Sequence, residues 1–307
     1  MKILLLGKNG QLGWELQRSL APLGDLFALG SAGRSDTQLF CGDLTDLAGL
    51  AATIRSVAPD IIVNAAAHTA VDKAESEPEL ARAINALAPA LMAAEAKRSG
   101  AWLIHYSTDY VFDGSGDQAW QETAATGPLS VYGQSKLEGE QAILASGCKH
   151  LIFRTSWVYA ARGGNFAKTM LRLAQQRDSL NVISDQIGAP TGADLLADVT
   201  AHCIRSLVQN HSESMALSGI YHLVAGGETS WYDYARFVIA SARAAGLEIK
   251  VADDAISPIP SGAYPLPAPR PLNSRLDTNK LQTTFGLHLP HWQSGVSRML
   301  TEISEKK

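Results

Sequence analysis

The segment Gly7-Lys8-Asn9-Gly10-Gln11-Leu12-Gly13 constrains this chain more than any other. It spaces its glycines Gly-x-x-Gly-x-x-Gly directly between an apolar run at residues 2–6 and a helical pattern that opens at Gln11. A turn of that kind lets the backbone approach a ligand closely, because no Cβ stands in the way. The free N–H groups of the following helix face the same space and favour an anion such as a pyrophosphate. A plain strand-to-helix turn has the same spacing, so the triplet needs support from the rest of the chain.

The order of elements supplies that support. Short apolar runs alternate with longer helical patterns through the first half, as expected where helices cover both faces of a parallel sheet. After a helix at residues 11–23 the pattern predicts strands at 26–29 and 61–63 around a helix at 47–57. An alanine-rich helix at 79–98 and a strand at 102–106 follow. Ser107 then sits just past the strand's carboxyl end, the edge at which open α/β sheets bind ligands. A helix at 131–145 and a strand at 151–153 complete this half. Beyond it, helical patterns near 166–176, 195–208, 232–245 and 295–303 are separated by Gly- and Pro-containing segments. Residues 257–271 are proline-rich and read as a loop that shapes a pocket.

At 307 residues the chain can bury a large core, and 46% hydrophobic with 18% charged residues excludes a mostly disordered protein. A net charge of −4 argues against a phosphate-backbone binder, so no nucleic-acid partner is expected. Cys41, Cys148 and Cys203 are odd in number and widely spaced, which suits buried free thiols in a reducing, cytoplasmic setting. The apolar start is too short for a signal segment, and no later run is long enough to span a bilayer, so no membrane partner is expected either.

Two groups of residues carry chemistry. Tyr132 and Lys136 are four positions apart in a helical pattern and therefore share a face. An ammonium there stabilises a phenolate and brings a phenol of ordinary pKa about 10 towards useful acidity near neutrality. By itself the pair also reads as an ordinary surface contact. Ser107, Thr108 and Asp109 lie at a strand end one βα unit upstream, where a hydroxyl can meet the same substrate oxygen. No nucleophile elbow surrounds Ser107, which favours hydride transfer over hydrolysis.

Taken together, Gly7-x-x-Gly10-x-x-Gly13, Asn64-Ala65-Ala66-Ala67, Ser107-Thr108-Asp109-Tyr110-Val111-Phe112 and Tyr132-x-x-x-Lys136 resemble the extended short-chain dehydrogenases. Within them the chain is most similar to the dTDP-4-dehydrorhamnose reductases. That closer likeness runs through residues 68–75, 154–159, 185–191 and 270–276. The resemblance covers nearly the whole chain.

It implies an α/β, Rossmann-like, doubly wound parallel sheet with a smaller C-terminal substrate-binding lobe. The dinucleotide-binding domain would span 1–157 and be rejoined at about 194–226, with 158–193 and 227–307 as the lobe. The implied reaction is NAD(P)H-dependent reduction of a dTDP-linked 4-keto sugar, supplying rhamnose for surface polysaccharide such as lipopolysaccharide O-antigen. Tyr132 would donate the proton, Thr108 would orient the carbonyl, and Lys136 would hold the nicotinamide ribose and lower the pKa of Tyr132. Gly7, Gly10, Gln11, Leu12, Gly13, Asp43, Leu44, Ala66, Ala67, Thr69 and Tyr106, with Tyr132 and Lys136, would line the dinucleotide. Thr108, Asp109, Trp157 and Arg270 would face the nucleotide sugar. For Trp157 the competing reading is a core position, and for Arg270 a solvated side chain. Guanidinium's fit to a diphosphate favours the second's function.

Two positions depart from the family pattern. Gly30 stands where an acid would bind the adenosine ribose of NAD, which leaves room for a 2′-phosphate beside Arg34. NADPH is expected, with NADH tolerated, although Asp36 could supply the acidic role instead. The resemblance also implies a homodimer with a structural Mg²⁺ near its interface. Glu15 matches that site, but Asp194 replaces a longer glutamate, and both acids also read as solvated helix residues. Two alternatives stay open: a sister nucleotide-sugar 4,6-dehydratase or epimerase, and a non-catalytic NADP-binding regulatory subunit.

Overall fold

The computed structural model describes residues 1–31, 40–209 and 214–304. Six strands form one sheet: β1 (Lys2–Leu6), β2 (Asp25–Leu29), β3 (Ile61–Asn64), β4 (Trp102–Thr108), β5 (Lys149–Thr155) and β6 (Gly219–His222). All neighbours are parallel, in the order β6-β5-β4-β3-β1-β2. The expected doubly wound parallel sheet is therefore present. Its order reverses at β1 and β3, so the crevice that a parallel sheet opens above its strand ends lies over Gly7 and Ala65.

The strands are apolar on both sides because helices cover both. On one face Ile3, Leu5, Val63, Ile104 and Phe153 pack with Leu16 and Leu20 of α1 (Gln11–Leu20). On the other, Leu4, Leu6, Ile62, Leu103 and Ile152 meet Leu50 and Ile54 of α2 (Leu47–Val57), Met92 of α3 (Ala88–Ser99) and Ile143 of α4 (Val131–Ser146). Adjacent residues on each strand thus serve opposite cores. A smaller body follows, built from α5 (Phe166–Gln176), α7 (Trp231–Ala244) and α8 (Trp292–Ser304) around Leu171, Tyr234, Val238, Trp292 and Val296. Between these, α6 (Ala193–Gln209) and β6 return to the main sheet, where Leu196, Cys203 and Ile204 join the first core.

Several elements differ from the sequence expectation. Strand β4 runs through Thr108 because its pairing with β5 continues to Thr155, so Ser107 and Thr108 are its last residues rather than the first beyond it. The helix expected at 79–98 is interrupted by a π-helical turn at Ala83–Leu87. Asn85 in that turn bonds both the N–H and the carbonyl of His68, at 2.9 and 3.0 Å, and Ser135 Oγ at 3.1 Å. Insertion of one residue re-aims Asn85 at these partners. Part of the proline-rich segment is a strand, since Ile256–Ile259 pairs with Leu180–Ile183. The three cysteines are buried and form no disulfide among the described residues. No helix among the described residues is long and apolar enough to cross a membrane.

Candidate active site

The glycine turn is shaped by contacts that a side chain would destroy. Gly7 has φ +90° and donates its N–H to the Leu29 carbonyl at 2.9 Å. A Cβ on Gly13 would lie 2.0 Å from the Gly7 carbonyl oxygen, so α1 can pack onto the turn only because Gly13 has none. At Gly10 the nearest atom to such a Cβ is 3.5 Å away, and no side chain caps the first turn of α1. This cradle of bare backbone with uncapped N–H groups fits a dinucleotide pyrophosphate.

The turn forms one end of an open cleft of about 550 Å³. Gly7, Gly10, Gln11, Leu12, Asp43, Leu44, Ala66, Ala67 and Thr69 line it together with Tyr106, Thr108, Asp109, Tyr132, Lys136 and Trp157. Residues scattered over the first half of the sequence thus converge on one wall. Gly13 supports the wall from behind. Gly30 lines the cleft as well, with Asn9 Nδ2 2.7 Å from where its Cβ would stand. Arg34 and Asp36 lie outside the described residues.

Helix α4 holds Tyr132 and Lys136 in place. Ser130 Oγ accepts the Gly133 N–H at 3.1 Å and Glu75 accepts the Val131 N–H at 2.9 Å. Gly133 lets the helix press against the turn after β4, where a Cβ would meet the Tyr110 carbonyl oxygen at 2.2 Å. Two turns on, the buried Glu140 takes a bidentate guanidinium from Arg154 of β5. Breaking such a buried pair leaves an uncompensated charge, so it fixes the helix against the sheet.

Burial dominates the protonation of the site. It pushes the Tyr132 phenol up to about 12, opposed by a hydrogen bond with Thr108 and reinforced by the charge of Asp109. It pulls Lys136 down to about 8 against the charge of Glu140. Lys136 Nζ lies 2.5 Å from the Tyr106 carbonyl oxygen and 3.2 Å from His105 Nε2. Asp109 is raised by burial to about 6, with hydrogen bonds from Ser274 and Thr108 opposing. Thr108 Oγ1 donates to Asp109 Oδ1 at 3.0 Å. The site therefore offers a phenol that keeps its proton, a hydroxyl directed beside it, and an amine whose charge is adjustable near neutrality.

The remaining predicted residues lie at the periphery. Trp157 adopts φ +49°, a conformation a bulky residue rarely takes, and its ring stacks on Trp231 with centroids 3.6 Å apart. Gly188 makes room for that ring, since its Cβ would lie 2.8 Å from Trp157 Cε2. Arg270 is not part of the cleft lining; its Nη2 bonds Asp72 Oδ2 at 2.8 Å while Nη1 is buried without a partner among the described residues.

Glu15 and Asp194 line a separate cavity of about 40 Å³ with Arg298 and Glu302. Arg18 Nε lies 3.6 Å from Glu15 and Arg298 Nη1 3.5 Å from Asp194. Among the described residues no three acidic, histidine or cysteine side chains are disposed to hold a metal. Carboxylates that already face guanidinium groups do not fit the six-oxygen shell of Mg²⁺.

Asn85 and His105 escaped the sequence reading. No periodicity marks a π-helical turn, and a histidine within an apolar strand looks like any other core residue.

A family model described as RmlD substrate binding domain matches residues 1–305. The dTDP-4-dehydrorhamnose reductase of Salmonella typhimurium is 58% identical over 303 residues, covering 99% of this chain and 98% of its own. That of Burkholderia thailandensis is 44% identical, with 99% of each chain covered. Among solved structures, the dTDP-4-dehydrorhamnose reductase of Bacillus anthracis in complex with NADP superposes with TM-score 0.83 at 33% identity, covering 98% of this chain and 99% of its own. A Streptomyces venezuelae dTDP-glucose 4,6-dehydratase has TM-score 0.78 at 18% identity, covering 99% and 97%, which speaks to fold alone.

Proposed function

The chain belongs to the RmlD substrate binding domain family, and on that premise we propose that it reduces the C4 keto group of dTDP-4-dehydrorhamnose (dTDP-4-dehydro-6-deoxy-L-mannose) to give dTDP-L-rhamnose. The observation that carries this reading is the single cleft onto which the glycine turn, Thr108, Tyr132 and Lys136 all open. A bound NADPH supplies the hydride.

The protein's residues supply the proton and the geometry. Tyr132 donates to the C4 oxygen as negative charge develops there. Thr108 turns its hydroxyl from Asp109 to the same oxygen, and Lys136 holds the nicotinamide ribose. Gly7, Gly10, Gln11 and Leu12 hold the pyrophosphate, with Asp43, Leu44, Ala66, Ala67, Thr69 and Tyr106 along the rest of the dinucleotide. Asp109 and Trp157 face the sugar, and the spare donor of Arg270 serves the diphosphate. Gly30 puts no carboxylate against a 2′-phosphate, which supports NADPH over a tolerated NADH.

The dinucleotide-binding domain comprises 1–157 and 194–226, a division supported by the return of α6 and β6 to the main sheet. The protein acts as a cytoplasmic homodimer, and sedimentation of the purified chain tests its oligomeric state. A dehydratase would need a second acid after Asp109, where Tyr110 stands.

Incubation with dTDP-4-dehydrorhamnose and NADPH deuterated on the transferred position tests the reading. Deuterium at C4 of dTDP-rhamnose supports it. Sugar returned unlabelled and unreduced contradicts it.

A further inference from the structure

His105 is wholly buried on β4, beneath Lys136, and both of its ring nitrogens are engaged. Asn64 Nδ2 lies 3.1 Å from Nδ1, and Lys136 Nζ lies 3.2 Å from Nε2. The direction of these bonds follows from Asn64. Its Oδ1 accepts the Ala66 N–H at 3.2 Å, which turns the amide nitrogen, a donor only, towards the imidazole. Nδ1 must therefore accept, and a neutral imidazole that accepts at Nδ1 carries its proton on Nε2. That N–H is aimed at Lys136 Nζ. An amine has a lone pair to receive it; an ammonium has none.

We propose that the chain from Ala66 through Asn64 and His105 keeps Lys136 a neutral amine in the free enzyme under mildly alkaline conditions, and that binding of the nicotinamide dinucleotide charges Lys136 by taking up a proton. Tyr132 then gains its cationic neighbour only in the loaded cleft. His105 is a positioning residue in this scheme. It acts through Lys136, and it deepens the reading above by resting on the same dinucleotide site.

The other groups around Lys136 agree. Glu140 on the same helix favours the ammonium, but Arg154 of β5 occupies it. From β4 the Tyr106 carbonyl accepts one Nζ proton at 2.5 Å, a bond open to amine and ammonium that the ammonium makes more strongly. Tyr132 one turn earlier holds its own proton, and Asp109 beyond β4 lies against Thr108. His105 stays neutral, because burial alone holds it well below its ordinary range. Lys136 and Ala66, at the two ends of the chain, both line the cleft. The ribose hydroxyls that Lys136 holds accept more strongly from an ammonium than from an amine, and the dinucleotide is net anionic, so the lysine's midpoint rises on binding. Protons are taken up between the free midpoint, about 8, and the higher bound one. Affinity accordingly falls as pH rises through that window, by up to about tenfold per unit.

Calorimetric titration of NADP⁺ into the purified enzyme at about pH 8.5, in two buffers of different ionisation enthalpy, reads the proton count directly. Nitrogen-15 NMR of the free enzyme reads the His105 tautomer. The expected results are net uptake and a proton on Nε2. Asn64→Asp places an acceptor at both amide positions, moves the ring proton to Nδ1 and presents Nε2 as an acceptor to an ammonium. Uptake is then lost, and NADP⁺ affinity no longer varies through that window. A proton on Nδ1 in the wild type, or binding without uptake, overturns the inference and leaves the reductase reading intact. So does uptake unchanged in a folded Asn64→Asp variant. Failure of the wild type to bind NADP⁺ at all overturns both.

Discussion

Arg270 and Asp72 lie 198 positions apart and are joined by a guanidinium–carboxylate bond of 2.8 Å. The other Asp72 oxygen accepts the Ala268 N–H at 3.2 Å, so the proline-rich segment is fastened to the short helix Val71–Ser76 that follows β3. This contact ties the C-terminal part of the chain to the loop beside the cleft, and it leaves Arg270 Nη1 buried with no partner among the described residues.

The unpartnered nitrogen makes a prediction for substrate binding. Arg270→Met removes the donor while roughly keeping the stem, and a charge-assisted bond of about 1.5–3 kcal/mol corresponds to a loss of roughly 10- to 100-fold in affinity. Calorimetry with dTDP is expected to register that loss, with NADP⁺ binding unchanged. Equal weakening of both ligands would indicate a general structural role instead.

Asp109 predicts a pH dependence of stability. Its carboxyl is raised from 3.8 to about 6 and the residue is 2% exposed, so the folded state binds its proton more tightly than the unfolded chain. The stabilisation this brings is fully present below 3.8 and is lost as pH rises through about 6. Its size is about 3 kcal/mol at most. Asp109→Asn should therefore melt higher than wild type at neutral pH and lack this component of the fall between acid and neutral conditions. Thermal unfolding across that range checks it; a variant less stable at neutral pH would show that the carboxylate is stabilising.

Gly13→Ala tests the cradle. Its Cβ would lie 2.0 Å from the Gly7 carbonyl oxygen, so α1 must move away from the turn. Overpacking of this kind costs about 1–3 kcal/mol of stability. The variant should melt lower and bind NADP⁺ much more weakly, whereas Gly286→Ala, at a helix end with no described atom near its Cβ, should leave cofactor binding unchanged.

The acidic cavity at Glu15 and Asp194 yields a prediction about metals. Because Arg18 and Arg298 face its two carboxylates, dialysis against a chelator should leave both melting temperature and turnover unchanged. A drop in either that Mg²⁺ restores would place a cation there after all.

What could be read from the sequence was local. The glycine turn and the Tyr132–Lys136 interval are spacings within a few residues, and a few residues decide a turn or a helix face. The pairing of His105 with Asn64 depends on β4 lying beside β3 in register, and that of Arg270 with Asp72 on where the C-terminal segment crosses. Neither leaves a mark on sequence periodicity. Asn85 was hidden for a different reason, because one inserted residue inside an alanine-rich helix leaves the apolar pattern intact. Gly30 was legible as a departure, and its consequence for cofactor choice rests on a loop of which Arg34 and Asp36 lie outside the described residues.

The reductase reading rests on Tyr132 delivering the proton to a keto sugar reduced by NADPH. The most direct test follows NADPH absorbance with dTDP-4-dehydrorhamnose for wild type and Tyr132→Phe, after confirming that both bind NADP⁺. Steady consumption by the wild type is expected, with a loss of roughly 10²- to 10⁴-fold in the variant, the usual contribution of a positioned general acid. Equal rates in the two proteins, or no consumption by a wild type that binds NADP⁺, would contradict it.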